Sequence, residues 1–327
     1  MFRAAAFFGF LGLALAIGLV IWQGYDQVLA AFAAAGWGIV LANLFHIVPM
    51  TVASYAWILL WPGRRRPSLG FMTYVMWVRA GVNNLLPVAR IGGEVVAARL
   101  LIKHGWRRAP AIASVVVETT VSVVTVFLLV ISGIVLLTLH DPNTSVMARL
   151  IIGALVSLPI IIFLALLQRY GAFSLLARLA HRMVGERWRP LMRDTVRLDR
   201  AVLAMYRRTG ALLASGVWMF VAWCLGAVEI WLALAFLGQP LSLVDCLIIE
   251  AMIQLASSAA FIMPGALGVQ EGAFLFFGAM LGLPPDKALA LALIRRCRDL
   301  IFYVPALIVW SLQEGKGYLA IRRQAAG

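Results

Sequence analysis

The sequence predicts an all-α polytopic membrane protein, with about six spanning helices plus two re-entrant helical hairpins that form an inverted repeat. Three observations carry this. Of the 327 residues 63% are hydrophobic and only 13% charged, with a mean hydropathy of +0.94; soluble domains run near half apolar and a quarter charged. Several apolar windows exceed about 18 residues, enough to cross roughly 30 Å of hydrocarbon as helix. Two further apolar segments are interrupted by Pro and Gly at corresponding places in the two halves of the chain.

The spanning helices are expected at about 4–22, 38–61, 109–139, 147–168, 210–237 and 287–312. The first is longer than a signal-peptide core and lacks a clear small-residue cleavage site, so it reads as a span. Between the second and third spans, the segment from Phe71 to Lys103 breaks around Pro87, Gly92 and Gly93. Between the fifth and sixth, the segment from Leu243 to Gly282 breaks around Pro264, Gly265 and Gly268. Each half is about 15 to 20 residues long, which suits a pair of short helices that enters and leaves by one face. Broken backbone at membrane depth is tolerated only where it is buried in protein or lines a wet cavity. The whole chain, 1–327, reads as one integral membrane domain.

The formal charge of +14 suggests nucleic acid, but its distribution follows topology instead. With the N-terminus inside, 20 of the 28 Lys and Arg fall on the cytoplasmic side and only Arg149 and Lys287 outside. That bias places both termini in the cytoplasm of a bacterium bounded by this inner membrane. Ten of these arginines lie in the segment 169–209, whose apolar residues Leu175, Leu176, Leu179 and Met183 recur at helical spacing. It reads either as an amphipathic helix on the anionic inner leaflet or as a loop that sets topology.

Comparing residue n with n+177 pairs Pro87 with Pro264, Ala89 with Ala266, Glu94 with Glu271 and Gly105 with Gly282. The order of elements repeats too, giving copies at about 69–139 and 243–312. Two full crossings separate them, so the copies are inverted. Inverted repeats with paired broken helices mark transporters whose sites lie near the midplane. Glu94 and Glu271 each sit early in a second arm, where the helix dipole favours a carboxylate. Two roles are open to them: tying down a broken helix, or lining a central cavity and binding a cation, a proton or an arginine.

The remaining intramembrane charges are Arg79, Arg90, Arg99, Glu118, Glu229, Glu250, Arg295, Arg296, Arg298 and Asp299. A charge at the bilayer centre costs about 2.5–3.5 kcal/mol, so most of these are expected to be paired. Glu118 and Arg295 occupy equivalent positions, which suggests an ion pair across the pseudo-twofold axis. Arg79 and Asp299 are further candidates for pairing or gating. At least one of Arg295, Arg296 and Arg298 is a candidate for an anionic headgroup, since the guanidinium fork suits phosphate. Asn83, Asn84 and Arg90 flank the first break as candidate ligand contacts.

Cys224, Cys246 and Cys297 are scattered through apolar segments and read as reduced, structural cysteines. The four histidines are isolated, and there is no Ser/His/Asp set, phosphate loop or metal-type spacing. No catalytic residue, metal or cofactor is therefore expected, and the oligomeric state is not legible.

The stretches RAGVNNLLPVARIGGEVVAARLL (79–101) and FIMPGALGVQEGAFLFFGAMLGLPPDKALALALIRRCRDL (261–300) resemble the flippase-like membrane domain family, which includes the transmembrane region of lysylphosphatidylglycerol synthases. Within it, GVQEGAF is most similar to the hopanoid-biosynthesis-associated membrane proteins. The resemblance implies movement of a phospholipid or hopanoid-type lipid between leaflets. It does not imply the synthase reaction, since no soluble aminoacyl-transferring domain follows the last span. A serine or threonine often expected near the second motif is replaced by Ala266 and Val269. The alternatives are a carrier of a small organic anion and a membrane scaffold for lipid synthesis.

Overall fold

A computed structural model describes residues 36–63, 65–86, 92–140, 189–260, 266 and 268–324. The expected spans at 4–22 and 147–168 lie outside the described residues, as do Pro87, Arg90, Pro264 and Gly265. The protein is all-α, and its described elements are α1 (Gly38–Leu44), α2 (Ile47–Leu59), α3 (Leu69–Leu85), α4 (Gly92–Lys103), α5 (Arg108–His140), α6 (Arg189–Tyr206), α7 (Thr209–Phe236), α8 (Leu243–Ala259), α9 (Val269–Met280) and α10 (Pro285–Gln324). Three stretches are long and apolar enough to cross a membrane, at Val40–Leu59, Arg108–Leu139 and Thr209–Phe236. The expected span at 287–312 falls inside α10, which carries four charges at Arg295, Arg296, Arg298 and Asp299.

The two interrupted segments are built alike. In each, a first arm of 17 residues (α3, α8) precedes a second arm of 12 (α4, α9), so the second arms are shorter than their sequences suggest. Each first arm starts behind a serine. Ser68 accepts from the Phe71 N–H, and Ser242 accepts from the Asp245 N–H in a full capping box. Each second arm ends at a glycine with positive φ, Gly105 at +90° and Gly282 at +77°. The hydrogen bonds there correspond one to one. Gly105 N–H and Trp106 N–H reach Ile102 and Leu101 carbonyls, while Gly282 N–H and Leu283 N–H reach Ala279 and Gly278. Only glycine adopts this left-handed turn without strain, which fixes where both arms stop. The capping serines stand 174 positions apart and the terminating glycines 177, so the second tip is three residues longer.

Packing interlocks the two halves. α3 lies mainly along α10 and α8 along α5, whereas α4 packs on α5 and α9 on α10. Each first arm therefore docks on the long helix of the other half. A core around Trp57, Met72 and Leu101 surrounds the first hairpin, and a core around Ile249, Phe274 and Leu291 surrounds the second.

Two expectations change. The span 38–61 is two helical pieces with a turn at Phe45–His46. α10 continues to Gln324 as one helix. In α6, Val202 and Met205 are fully buried against the first hairpin's core. Arg208, just beyond α6, donates to the Leu60 and Trp61 carbonyls at 3.1 and 2.9 Å and so ties the C-terminal end of α2. Residues 169–188 lie outside the described residues.

Candidate functional site: a polar cavity between the hairpins

Where the halves meet, the helices line a partly open cavity of about 430 Å³. α3 lines it with Arg79, Asn83 and Asn84, and the second arms contribute Glu94 and Gln270. The long helices supply Glu118 from α5 and Arg295, Arg298, Asp299 and Tyr303 from α10. His46 from the α1–α2 turn, Trp223 and Glu229 from α7, and Glu250 and Gln254 from α8 complete the polar wall.

The first hairpin is closed by its own side chains. Asn83 Oδ1 accepts the Gly93 N–H at 2.8 Å, and its Nδ2 donates to Glu94 Oε1 at 3.3 Å. A Cβ on Gly93 would lie 2.5 Å from the Arg79 carbonyl oxygen and Asn83 Oδ1, so glycine is required for this approach. The equivalent tie in the second hairpin runs from Gln270 Nε2 to Ser257 Oγ at 2.7 Å. Asn84 turns back on its own helix, donating to the Ala80 carbonyl at 2.9 Å. Gly92 opens α4, and Gly268, with φ +77°, precedes α9.

Every described arginine on the cavity wall meets a carboxylate. Arg79 donates through Nη1 to Glu118, and its Nε lies 2.8 Å from Glu94 Oε2. Arg295 forks onto Glu250 at 2.7 and 3.3 Å, and Gln254 supports the same carboxylate at 2.6 Å. Arg298 bridges Glu229 and Asp299, each at 2.6 Å. His46 Nδ1 donates to Glu229 at 3.0 Å, while its Nε2 meets Tyr303 Oη at 3.0 Å.

The suggested Glu118–Arg295 pair is not formed. Each residue instead pairs with a first-arm residue of its own half, Glu118 with Arg79 and Arg295 with Glu250. Both pairs join a first arm to the long helix of its own half, with acid and base exchanged between the two elements, since equivalence by symmetry does not entail contact. Glu271 and Arg296 also part from the cavity residues. They pair bidentately at 2.6 and 3.3 Å, and neither lines the cavity. At Glu271 the carboxylate thus joins a second arm to its long helix.

The sequence counted Glu229 and Glu250 among the membrane charges without placing them at the site. It passed over His46, Trp223, Gln254, Gln270 and Tyr303. His46 looked isolated because its partners are 183 and 257 positions away. No spacing signal reveals such contacts.

Comparison with known proteins now decides the family. Residues 9–306 match the family described as the lysylphosphatidylglycerol synthase TM region. The chain belongs to that family. Among similar family proteins, a UPF0104 membrane protein of Pyrococcus horikoshii is 22% identical over 323 residues, covering 91% of this chain and 93% of that protein. A UPF0104 membrane protein of Methanothermobacter thermautotrophicus is 26% identical over 236 residues, covering 68% and 69%. No solved structure matches at a significant level.

Proposed function

We propose that this family member is a lipid translocase rather than an enzyme, passing a phospholipid or hopanoid-type headgroup through the cavity while the tails stay in the bilayer. The observation that carries this reading is the cavity itself: largely apolar in its wall, yet holding buried ion pairs, and placed where two similarly built hairpins meet. Its volume of about 430 Å³ lies in the lower part of the roughly 300–1,000 Å³ typical of small-ligand pockets. That suits a headgroup and not its chains. A headgroup phosphate would bind by competing with Glu250 for Arg295 or with Glu229 and Asp299 for Arg298, both of which line the cavity. The hairpins are read as an inverted repeat in a bacterial inner membrane, with both termini cytoplasmic.

Among the described residues the wall holds five carboxylates and three arginines. This excess disfavours any solute that carries only negative charge, and among phospholipids it favours headgroups that carry an ammonium beside the phosphate. A scaffold would not need a polar centre at all. The test is leaflet exchange of fluorescent phospholipids and of a triterpenoid lipid in proteoliposomes. Exchange by the wild type, lost in Arg295→Ala while the fold persists, supports the reading; no exchange of any lipid by folded protein sinks it.

A further inference from the structure

The Glu94–Arg79–Glu118 group holds two carboxylates on one guanidinium. Arg79 contacts both, and Thr119 Oγ1 adds bonds of 3.3 Å from Arg79 and 3.4 Å to Glu94. The internal repeat shows how unusual this is. Position 119 corresponds to 296 in the second half, where an arginine, Arg296, meets Glu271 at 2.6 Å and gives that carboxylate a cation from the long helix. At Arg298, which also faces two carboxylates, His46 serves Glu229, and Arg296 lies 3.8 Å from Asp299. Beside Glu94 and Glu118 the only charged partner among the described residues is Arg79. It reaches them from α3, Glu118 stands on α5, and Asn83 and Thr119 contribute neutral contacts.

Two ionised carboxylates sharing one cation at membrane depth leave one negative charge uncompensated, which a single bound proton would cancel. The two also differ in access. The Glu94 side chain is 20% exposed and the Glu118 side chain 2%. We propose that the Glu94–Arg79–Glu118 triad is a proton-binding site that exchanges one proton with the cavity through Glu94. In this step a proton from cavity water adds to the carboxylate pair while Arg79 stays with the ionised member. Release returns the proton to water and restores both contacts to Arg79. The link to transport rests on the reading of the cavity given above, but the proton site itself does not depend on which solute moves.

Infrared difference spectroscopy of the full-length protein in liposomes, stepping pH upward, reads the proton directly. The wild type and the double variant Glu271→Gln with Arg296→Gln, which leaves no member of that pair behind, are expected to lose a protonated-carboxyl band as pH rises. Glu94→Gln and Glu118→Gln should each remove that band, because the pair titrates as a unit and either remaining carboxylate pairs singly with Arg79. No such band in the wild type, or one that neither variant diminishes, overturns the proposal. So does a band that is absent from the wild type and appears in Arg90→Gln, since Arg90 would then be the second counter-charge. In the exchange assay the wild-type rate should change by up to about tenfold per pH unit, the slope of one proton, while Glu94→Gln is flat. An equal slope in both overturns the coupling. Wild-type protein with the band but no lipid exchange would refute the lipid reading and leave the proton site standing.

Discussion

At Gly226 a helical glycine faces the Glu250 carboxylate. Alanine in place of a helix-interior glycine ordinarily gains about 0.5–1 kcal/mol. Here the added Cβ would meet Glu250 Oε1 at 2.9 Å and Cδ at 3.0 Å, against the carboxylate that holds Arg295. Gly226→Ala is therefore expected to lower stability by about 1–3 kcal/mol, the usual cost of overpacking, and to lower the melting temperature in detergent. The Glu271–Arg296 pair makes a second residue-level prediction. Removing one partner of a buried pair costs about 3–5 kcal/mol because the other charge is left behind, whereas removing both together costs much less. Glu271→Gln should thus melt well below the wild type, and Glu271→Gln with Arg296→Gln should recover most of the loss. If the double variant is as unstable as the sum of the singles, Glu271 is not a tie to Arg296.

At the scale of elements, the two hairpins carry the same punctuation with unequal strength. Ser242 is supported by a reciprocal bond with Asp245, while Ser68 has a single bond of 3.4 Å to the Phe71 N–H. Replacing an N-cap serine by alanine costs about 0.5–2 kcal/mol. Ser242→Ala should fall within that range and Ser68→Ala near or below its lower end, as read from thermal melts of the two variants side by side. The hairpins also show what was legible beforehand. Apolar runs interrupted by Pro and Gly located both breaks, and the Glu94–Glu271 and Gly105–Gly282 correspondences mark the same positions in the two second arms. The lengths of those arms were less legible, because α4 begins only at Gly92 and α9 only at Val269, later than the apolar composition requires.

For the whole molecule, the exchange of first arms between halves depends on close helix approach. A Cβ at Gly133 on α5 would lie 2.4 Å from the Ala251 Cβ on α8. Gly133→Ala should push α5 and α8 apart, lowering both melting temperature and leaflet exchange. Gly210→Ala, where nothing lies within 4 Å, should not lower the melting temperature. Topology is testable at this scale as well. In intact cells a membrane-impermeant thiol reagent is expected to label Gln239→Cys from outside and Arg207→Cys only after permeabilisation, in a background lacking the three native cysteines. Labelling of both from one side would remove the inverted arrangement on which the translocase reading draws.

By itself the sequence determined the class of the protein, the places where its helices break and the necessity of pairing its membrane charges. Those properties follow from local composition and from the high cost of unpaired charge in hydrocarbon, both of which act on a chain whatever its tertiary partners. The pairing itself was decided only by the tertiary structure. Glu118 and Arg295 match by internal symmetry, yet the packing brings Arg79 to one and Glu250 to the other. His46 joins Glu229 across 183 positions because the α1–α2 turn abuts α7 and α10. Glu94 and Glu271, alike in sequence, are separated in role by their partners: Arg79 on α3 reaches Glu94, where Thr119 stands on the long helix, and Arg296 on α10 reaches Glu271. Ion-pair geometry depends on contacts of a few ångströms between residues far apart in the chain, and a linear pattern carries the need for such contacts without their assignment.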